Sequence, residues 1–242
     1  MGKLLRSRPQ LEILEDRVTP GHLHSGLGLI GPIHAGAQAA QNGSGGDVLP
    51  AAATSHGFSL TDMTAATALF NTDNNDLSQY PQTPFQILFV DRNTQMFTFV
   101  DGGVVITGTN QFTVPAGTSF YVPVGFVDDS PPILGTFPTD PSMVADYIFG
   151  QDQVGMKNLQ IIVDGRVTPI GSAYAAGPVQ TPPLFDGGGT HIINVGAFLT
   201  PLSPGTHTVT IAGEFSGVLV QQASGLAFEQ FSLTYTVTVT PH

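Results

Sequence analysis

The sequence predicts an all-β protein, an antiparallel β-sandwich of the jelly-roll or Ig-like kind with one or two short helices and a disordered N-terminal segment. Charged residues make up only 10% of the 242 residues, while Gly (29) and Pro (19) are abundant, which is typical of turn-rich chains. About ten short β-rich runs recur at intervals of roughly 8 to 12 residues. The repeated crossover helices that a parallel sheet requires are not predicted.

The first 17 residues differ from the rest because they carry four of the seven basic side chains. Pro9 and Glu12 interrupt the apolar core that a conventional secretory signal needs. Residues 8–20, RPQLEILEDRVTP, resemble the R-P-x-L-E-x-L-E-D-R motif at the start of many predicted secreted or cell-surface proteins of planctomycete-type bacteria. The resemblance implies a secreted or cell-surface location and no activity.

Composition predicts four regions. Residues 1–20 form the N-terminal address motif, and residues 21–57, which are rich in Gly, Ala, Gln and Ser, have too few large apolar groups to order themselves and predict a flexible linker. Residues 58–83 predict a short helix and a connecting segment, with Ser59 as a candidate cap. Residues 84–242 form the predicted β-sandwich domain.

In the first half of that domain, the sequence predicts a sheet whose strands are joined by tight turns. Strands are expected at residues 85–90, 96–100, 104–107, 112–118 and 119–127. The turn Asp101-Gly102-Gly103 favours a hairpin between two of them, and Pro123 belongs on an edge or at a bulge. Asp140 and Pro141 are typical of a helix start, and Gly150 of its end.

The second half predicts a hairpin around Asp164-Gly165, a Gly/Pro-rich loop, and strands near residues 191–199, 206–212, 216–222 and 228–240. The last strand carries the clearest pattern. Leu233, Tyr235 and Val237 alternate with Thr234 and Thr236, as expected of a half-buried antiparallel strand.

A second resemblance involves residues 199–211, LTPLSPGTHTVTI, and residues 231–239, FSLTYTVTV. They are similar to the end of a family of uncharacterised bacterial secreted β-sandwich proteins. The earlier pieces VPAGT at residues 114–118 and VDG at residues 163–165 also fit in order. The resemblance implies the sandwich fold but no activity.

Several function classes are disfavoured by composition. The net charge is −11, and no basic residue lies between Arg17 and Arg92, so nucleic acid is not an expected partner. The chain has no Cys, which excludes disulfides and thiolate metal sites. No apolar stretch of about 18 residues is present, so no membrane-spanning segment is expected.

Two acidic clusters are candidate calcium sites, because calcium prefers six to eight oxygen ligands. The candidate ligands are Asp73, Asn75, Asp76, Asp128 and Asp129. Neither cluster has EF-hand spacing, so the alternative interpretation is solvated turn residues. No other cofactor is expected, and no catalytic residue is assigned.

Other candidate groups also have two interpretations. His207 shares its parity with Val209, so we expect it to face the core and to bond a ring nitrogen to the backbone, while His191 follows a glycine run and is expected in a mobile loop. Glu214 and Glu229 are the glutamates of the sandwich region and would be the acid and base of a glycosidase. Tyr121 and Tyr174 are the candidate platforms for stacking a sugar.

These observations favour a non-catalytic, secreted or cell-surface β-sandwich module with a structural or adhesive role. Its candidate partner is a cell-surface protein or glycan. The alternative is a small extracellular polysaccharide hydrolase that uses paired carboxylates. The oligomeric state is left open.

Overall fold

The computed structural model describes residues 45–90, 94–131, 133–185 and 187–241, and the following account is confined to them. The protein is mostly β, with two mixed sheets and three α-helices. The helices are α1 (Leu60–Thr72), α2 (Val144–Phe149) and α3 (Val218–Ser224). The strands are β1 (Phe85–Ile87), β2 (Met96–Val100), β3 (Gly103–Pro115), β4 (Ser119–Asp128), β5 (Met156–Val163), β6 (Arg166–Pro169), β7 (Ala175–Gln180), β8 (His191–Leu199), β9 (Gly205–Phe215) and β10 (Glu229–Thr240).

The strands form a six-stranded sheet in the order β2-β3-β10-β9-β5-β6 and a four-stranded sheet in the order β1-β4-β8-β7. Each sheet contains one parallel pair, β3 with β10 and β1 with β4. The prediction of purely antiparallel sheets is therefore wrong for these pairs. More than a hundred residues and six other strands lie between β3 and β10 in the sequence, so this parallel pair is not joined by a single crossover helix.

The main hydrophobic core draws its side chains from both sheets. Phe112, Ile211 and Tyr235 of the six-stranded sheet belong to the same buried cluster as Val122 and Val195 of the four-stranded sheet. Burying a side chain of this size contributes about 1.5 to 3 kcal/mol. This cluster therefore holds the two sheets together.

Local sequence signals account for several elements. The alternation of β10 is confirmed, since its odd-numbered positions are buried from Glu229 to Val239. The hairpin turn at Asp101 and Gly102 is confirmed, with φ of 46° and 78°. Pro123 marks a register shift within β4, which confirms the predicted bulge.

Helix α1 covers the second face of the four-stranded sheet. Ser59 caps it through a capping box in which the Ser59 and Asp62 side chains each bond the backbone of the other residue. Met63 and Phe70 of the helix pack with Tyr121 and Phe198 in a second buried cluster. Both faces of this sheet are consequently buried.

Of the predicted flexible linker at residues 21–57, residues 45–57 lie against the sheets, so the prediction is wrong for them. Residues 21–44 and the address motif at residues 1–20 lie outside the described residues. Gly45 pairs with Leu202, and Val48 pairs with Leu199. Arg166 forms an ion pair of 2.5 Å with Asp47 and donates to the carbonyl oxygens of Gly45 and Gly46. Main-chain pairing orders this segment together with the packing of Val48 and Leu49 against the two buried clusters.

Two further segments differ from the prediction. Residues 218–224 form α3 rather than a strand, because Gly217 precedes the helix and Gly225 ends it in the left-handed conformation. Residues 175–180, predicted as a loop, form β7. No helix among the described residues has the length and apolar character needed to cross a membrane.

Candidate functional site

The outer face of the six-stranded sheet carries an unusual density of hydroxyl groups. Successive strand residues point to opposite faces, so the residues that alternate with the core of β3, β10 and β9 share this outer side. We call this set the hydroxyl face. Its members are Thr107, Thr109, Gln111 and Thr113 of β3, Ser232, Thr234, Thr236 and Thr238 of β10, and Thr206, Thr208 and Thr210 of β9.

Strand register aligns these side chains into rows. Thr234 of β10 lies opposite Thr109 of β3 on one side and Thr210 of β9 on the other. The next rows along β10 are built in the same way. Neighbouring strands lie about 4.8 Å apart, and side chains on the same face of one strand repeat about every 6.7 Å. The face is therefore a two-dimensional array, and within it the hydroxyl oxygens of Thr210 and Thr234 are 3.1 Å apart.

The outer strands of the array are open to solvent. Thr109, Gln111 and Thr113 of β3 are exposed, as are Thr206 and Thr208 of β9, while the β10 side chains between them are half-buried. Helices α1 and α2 pack elsewhere, α1 on β7 and β8 and α2 on β5 and β7. Threonine suits an exposed strand position, because its branched Cβ favours β-structure and its hydroxyl forms hydrogen bonds with water.

No residue of the hydroxyl face is charged, although the whole chain has a net charge of −11. Asp164 adjoins the face, where its Oδ1 accepts a hydrogen bond of 2.8 Å from the Thr208 N–H. At the other end of the sheet, Lys157 and Glu214 form an ion pair of 2.8 Å. Gln230 donates a hydrogen bond of 3.1 Å to Glu214. The Lys157–Glu214 pair leaves that end of the sheet without net charge, while the Asp164 carboxylate lies at the Thr208 end.

The chemistry of the hydroxyl face follows from its side chains. Each Thr or Ser hydroxyl can donate one hydrogen bond and accept two, and the amide of Gln111 does both. The threonine methyl groups add small apolar contacts between the hydroxyls. Such a surface can bind a neutral, hydroxyl-bearing partner without attracting ions.

The first acidic cluster caps secondary structure. The Asp73 N–H ends α1 by donating to the carbonyl of Leu69, and Asp76 accepts a hydrogen bond of 2.8 Å from the Ser78 N–H at the start of a 3-10 turn. Asn75 donates to the Val90 carbonyl oxygen at 3.4 Å. The described parts of the chain contain no group of three or more His, Asp or Glu side chains arranged to hold a metal ion.

The second acidic cluster fastens the loop that precedes β8. Asp129 Oδ1 accepts from the N–H groups of Thr190 and His191 at 2.6 and 2.8 Å, and Asp129 Oδ2 lies 2.8 Å from His191 Nδ1. The neighbouring Asp128 accepts from the Ser130 N–H. These carboxylates accept hydrogen bonds from backbone N–H groups. The His191 ring contacts Asp129, so the prediction that His191 lies in a mobile loop is wrong.

His207 is a structural residue, as predicted. Its Nε2 lies 2.8 Å from the carbonyl oxygen of Ser203, and its Nδ1 lies 2.7 Å from Asp164 Oδ2. The Ser203 hydroxyl is 3.4 Å from the same Nε2, which resembles the order of a nucleophilic triad. The main-chain oxygen of Ser203 lies closer to Nε2 than the Ser203 hydroxyl does, so the ring is positioned against the backbone rather than against the hydroxyl.

Glu214 and Glu229 lie on opposite faces of the six-stranded sheet. In the register Gln230 pairs with Glu214 and Glu229 pairs with Phe215, so Glu229 shares the core face with Phe215. Burial raises the pKa of Glu229 to about 7, against a smaller lowering by its hydrogen bond with Ser224. The two carboxylates do not face a common cleft.

The two tyrosines considered as sugar platforms are not available for stacking. Tyr121 is fully buried beneath α1, and this burial raises the pKa of its phenol. Tyr174 is half-buried and donates a hydrogen bond of 3.1 Å to the Leu49 carbonyl oxygen. The prediction of exposed rings is wrong because α1 and residues 45–57 cover this side of the sheet.

No protein family, curated protein or solved structure matches this chain. Its function must therefore be inferred from its own residues. The sequence signal for the hydroxyl face was the threonine alternation in three segments, residues 107–113, 206–210 and 232–238. We interpreted this alternation only in the last segment, as the pattern of a half-buried strand, because the register that joins the three segments cannot be obtained from local patterns.

Proposed function

We propose that this protein is a non-catalytic, secreted or cell-surface adhesive module with a β-sandwich fold of the jelly-roll or Ig-like kind. The hydroxyl face is its contact surface. The observation that carries the proposal is an ordered, uncharged hydroxyl array on a strongly acidic chain. Surfaces of soluble proteins normally interleave charges of both signs, so a charge-free face suits a dedicated contact.

The proposed partner is a neutral cell-surface glycan. Sugar hydroxyls donate and accept hydrogen bonds in the same way as Thr and Ser hydroxyls. The threonine methyl groups can contact the C–H groups of a sugar ring. A net charge of −11 would repel an acidic polymer. Nucleic acid is disfavoured for the same reason.

The location rests on the sequence. Residues 8–20 carry the resemblance to an address motif of secreted and surface proteins. The second resemblance, which includes residues 199–211, supports the same class of extracellular β-sandwich. A contact surface for glycans is of use in that location.

The alternative, a polysaccharide hydrolase with paired carboxylates, is not the function that we propose. A glycosidase needs its two carboxyl groups about 5 to 9.5 Å apart around one bond. Glu214 is ion-paired on the outer face, whereas Glu229 is buried on the core face. Calcium is likewise not part of the proposal.

Binding to insoluble neutral polysaccharides tests the proposal. The full chain is incubated with cellulose, chitin and β-glucan particles, and the protein that remains in solution is measured. We expect saturable binding to at least one of them. The triple variant T109V/T234V/T236V keeps the strand-forming branched Cβ and removes three hydroxyls, each worth about 0.5 to 1.5 kcal/mol, so its affinity should fall at least about tenfold.

The variant T61V is the matched control, because Thr61 is exposed on α1 and outside the hydroxyl face. It should bind like the unmodified chain. Circular dichroism and the thermal midpoint establish that both variants fold. Equal binding by the triple variant and T61V, or no binding to any of the three particles, would refute the proposal.

A further inference from the structure

We propose that a second copy of this chain pairs with the free edge of β2. The two β2 strands would run antiparallel about a twofold axis, so that the six-stranded sheets of the two copies join edge to edge. The inference rests on four features of β2: a main chain that pairs with β3 alone among the described strands, a lack of edge protection, exposed apolar side chains and symmetry.

The main-chain groups of β2 that have no strand partner in the described part of the chain belong to Phe97 and Phe99. Strand β2 is the last in the sheet order, and β3 is its partner there. Val100 and Gly103 close a two-residue hairpin turn, which makes them a hydrogen-bonded pair. Such pairs recur at every second residue, so Thr98 and Met96 bond β3, whereas the N–H and C=O of Phe97 and Phe99 point away from it.

The other three sheet edges are protected in ways that β2 is not. Proteins block edges with proline, charge or short length. Strand β6 contains both Arg166 and Pro169, β7 contains Pro178, and β1 has three residues. Strand β2 contains neither proline nor charge, and Phe99 is 72% exposed.

The sequence of β2, Met-Phe-Thr-Phe-Val, is symmetric in character about Thr98. An antiparallel pair centred on Thr98 places Phe97 of one copy opposite Phe99 of the second copy, and Met96 opposite Val100 of the second copy. Aromatic cross-strand pairs of this kind are stabilising. The outward main-chain groups of Phe97 and Phe99 meet their counterparts in the same register.

Charge also favours a second copy at this edge. Two chains of net charge −11 repel one another over most of their surfaces. The five residues of β2 bring no charge into the contact. Copies that approach through β2 therefore avoid placing like charges directly against each other.

Pairing would also extend the contact surface. The twofold axis of an antiparallel edge pair is perpendicular to the sheet, so the hydroxyl faces of both copies lie on the same side. This consequence rests on the proposed function, and it would let one dimer bind a polymer at two places. The pairing itself does not depend on the ligand.

Sedimentation velocity of the full chain across micromolar concentrations tests the pairing without any polysaccharide present. We expect a concentration-dependent dimer. The variant F99P removes an outward N–H that is not bonded to β3, and F99K places a charged side chain opposite Phe97 of the second copy. Both should weaken the dimer at least about tenfold.

The variant V167K is the matched control, because Val167 is an exposed apolar residue on the opposite edge strand β6. It should leave the dimer unchanged. A thermal midpoint close to that of the unmodified chain shows that each variant is folded. An unmodified chain that stays monomeric, or a dimer equally strong in F99K and V167K, would overturn the inference. Since no polysaccharide is used, failure of glycan binding would not affect this result.

Discussion

Replacing the buried Glu229 by Gln should make the protein more stable at neutral pH. Glu229 begins β10 on its core-facing side, is 6% exposed and lies between Val104 and Phe215 in the strand register. Its pKa is raised to about 7 because burial disfavours the carboxylate. Gln has the shape of the protonated side chain and never ionises.

The sign and size of the effect follow from proton linkage. The folded chain keeps the Glu229 proton up to about pH 7, whereas the unfolded chain releases it near the ordinary value of 4.5. The contribution of Glu229 to the free energy of unfolding is therefore fully present below pH 4.5, and it is lost as the pH rises to about 7. The difference between the two pKa values corresponds to roughly 3 kcal/mol. The advantage of E229Q over the unmodified chain should grow by about that amount between pH 4.5 and pH 8.

Urea unfolding at a series of pH values between 5 and 8 measures this difference. The variant E214Q is the control, since it removes the same charge from the outer face, where Glu214 is paired with Lys157. We expect the advantage of E229Q to increase with pH across this window. A difference between E229Q and the unmodified chain that is constant with pH would refute the reasoning, whatever its sign.

Two further predictions concern the acidic clusters. The variant D129A should be less stable by about 1 to 3 kcal/mol in urea unfolding, because the Thr190 and His191 N–H groups lose their carboxylate acceptor. Unchanged hydrogen exchange at these two amides would contradict this prediction. Millimolar calcium should leave the thermal midpoint of the full chain unchanged, since the Asp129 carboxylate already contacts backbone N–H groups and His191. A higher midpoint than in a chelator-treated sample would show that the native state binds the ion.

The sequence predicted those parts of the fold that local chemistry determines. The Asp101-Gly102 and Asp164-Gly165 turns, the bulge at Pro123 and the alternation of β10 all result from a few adjacent residues. The parallel pairing of β3 with β10 could not be predicted in this way, since it joins segments more than a hundred residues apart. Residues 218–224 were misassigned because a short apolar run with Val is compatible with either a strand or a helix.

The candidate site was less accessible to sequence reasoning. Tyr121 was expected to be exposed because its strand alternates, but α1 covers that face. The sequence predicted that the threonines of β10 lie on the face opposite its apolar residues, and nothing linked them to the threonines of β3 and β9. Their common surface depends on the register between β3, β10 and β9, and only the folded sheet provides it.

The position of β10 has a consequence for biosynthesis. Residues 229–240 form the last strand in the sequence. In the six-stranded sheet, however, they lie between β3 and β9. While the ribosome is still making this segment, β3 and β9 have no neighbour on the sides that it will fill. The nascent chain must therefore carry two open strand edges until residue 240 emerges, and a chaperone that binds extended segments would find them at that stage.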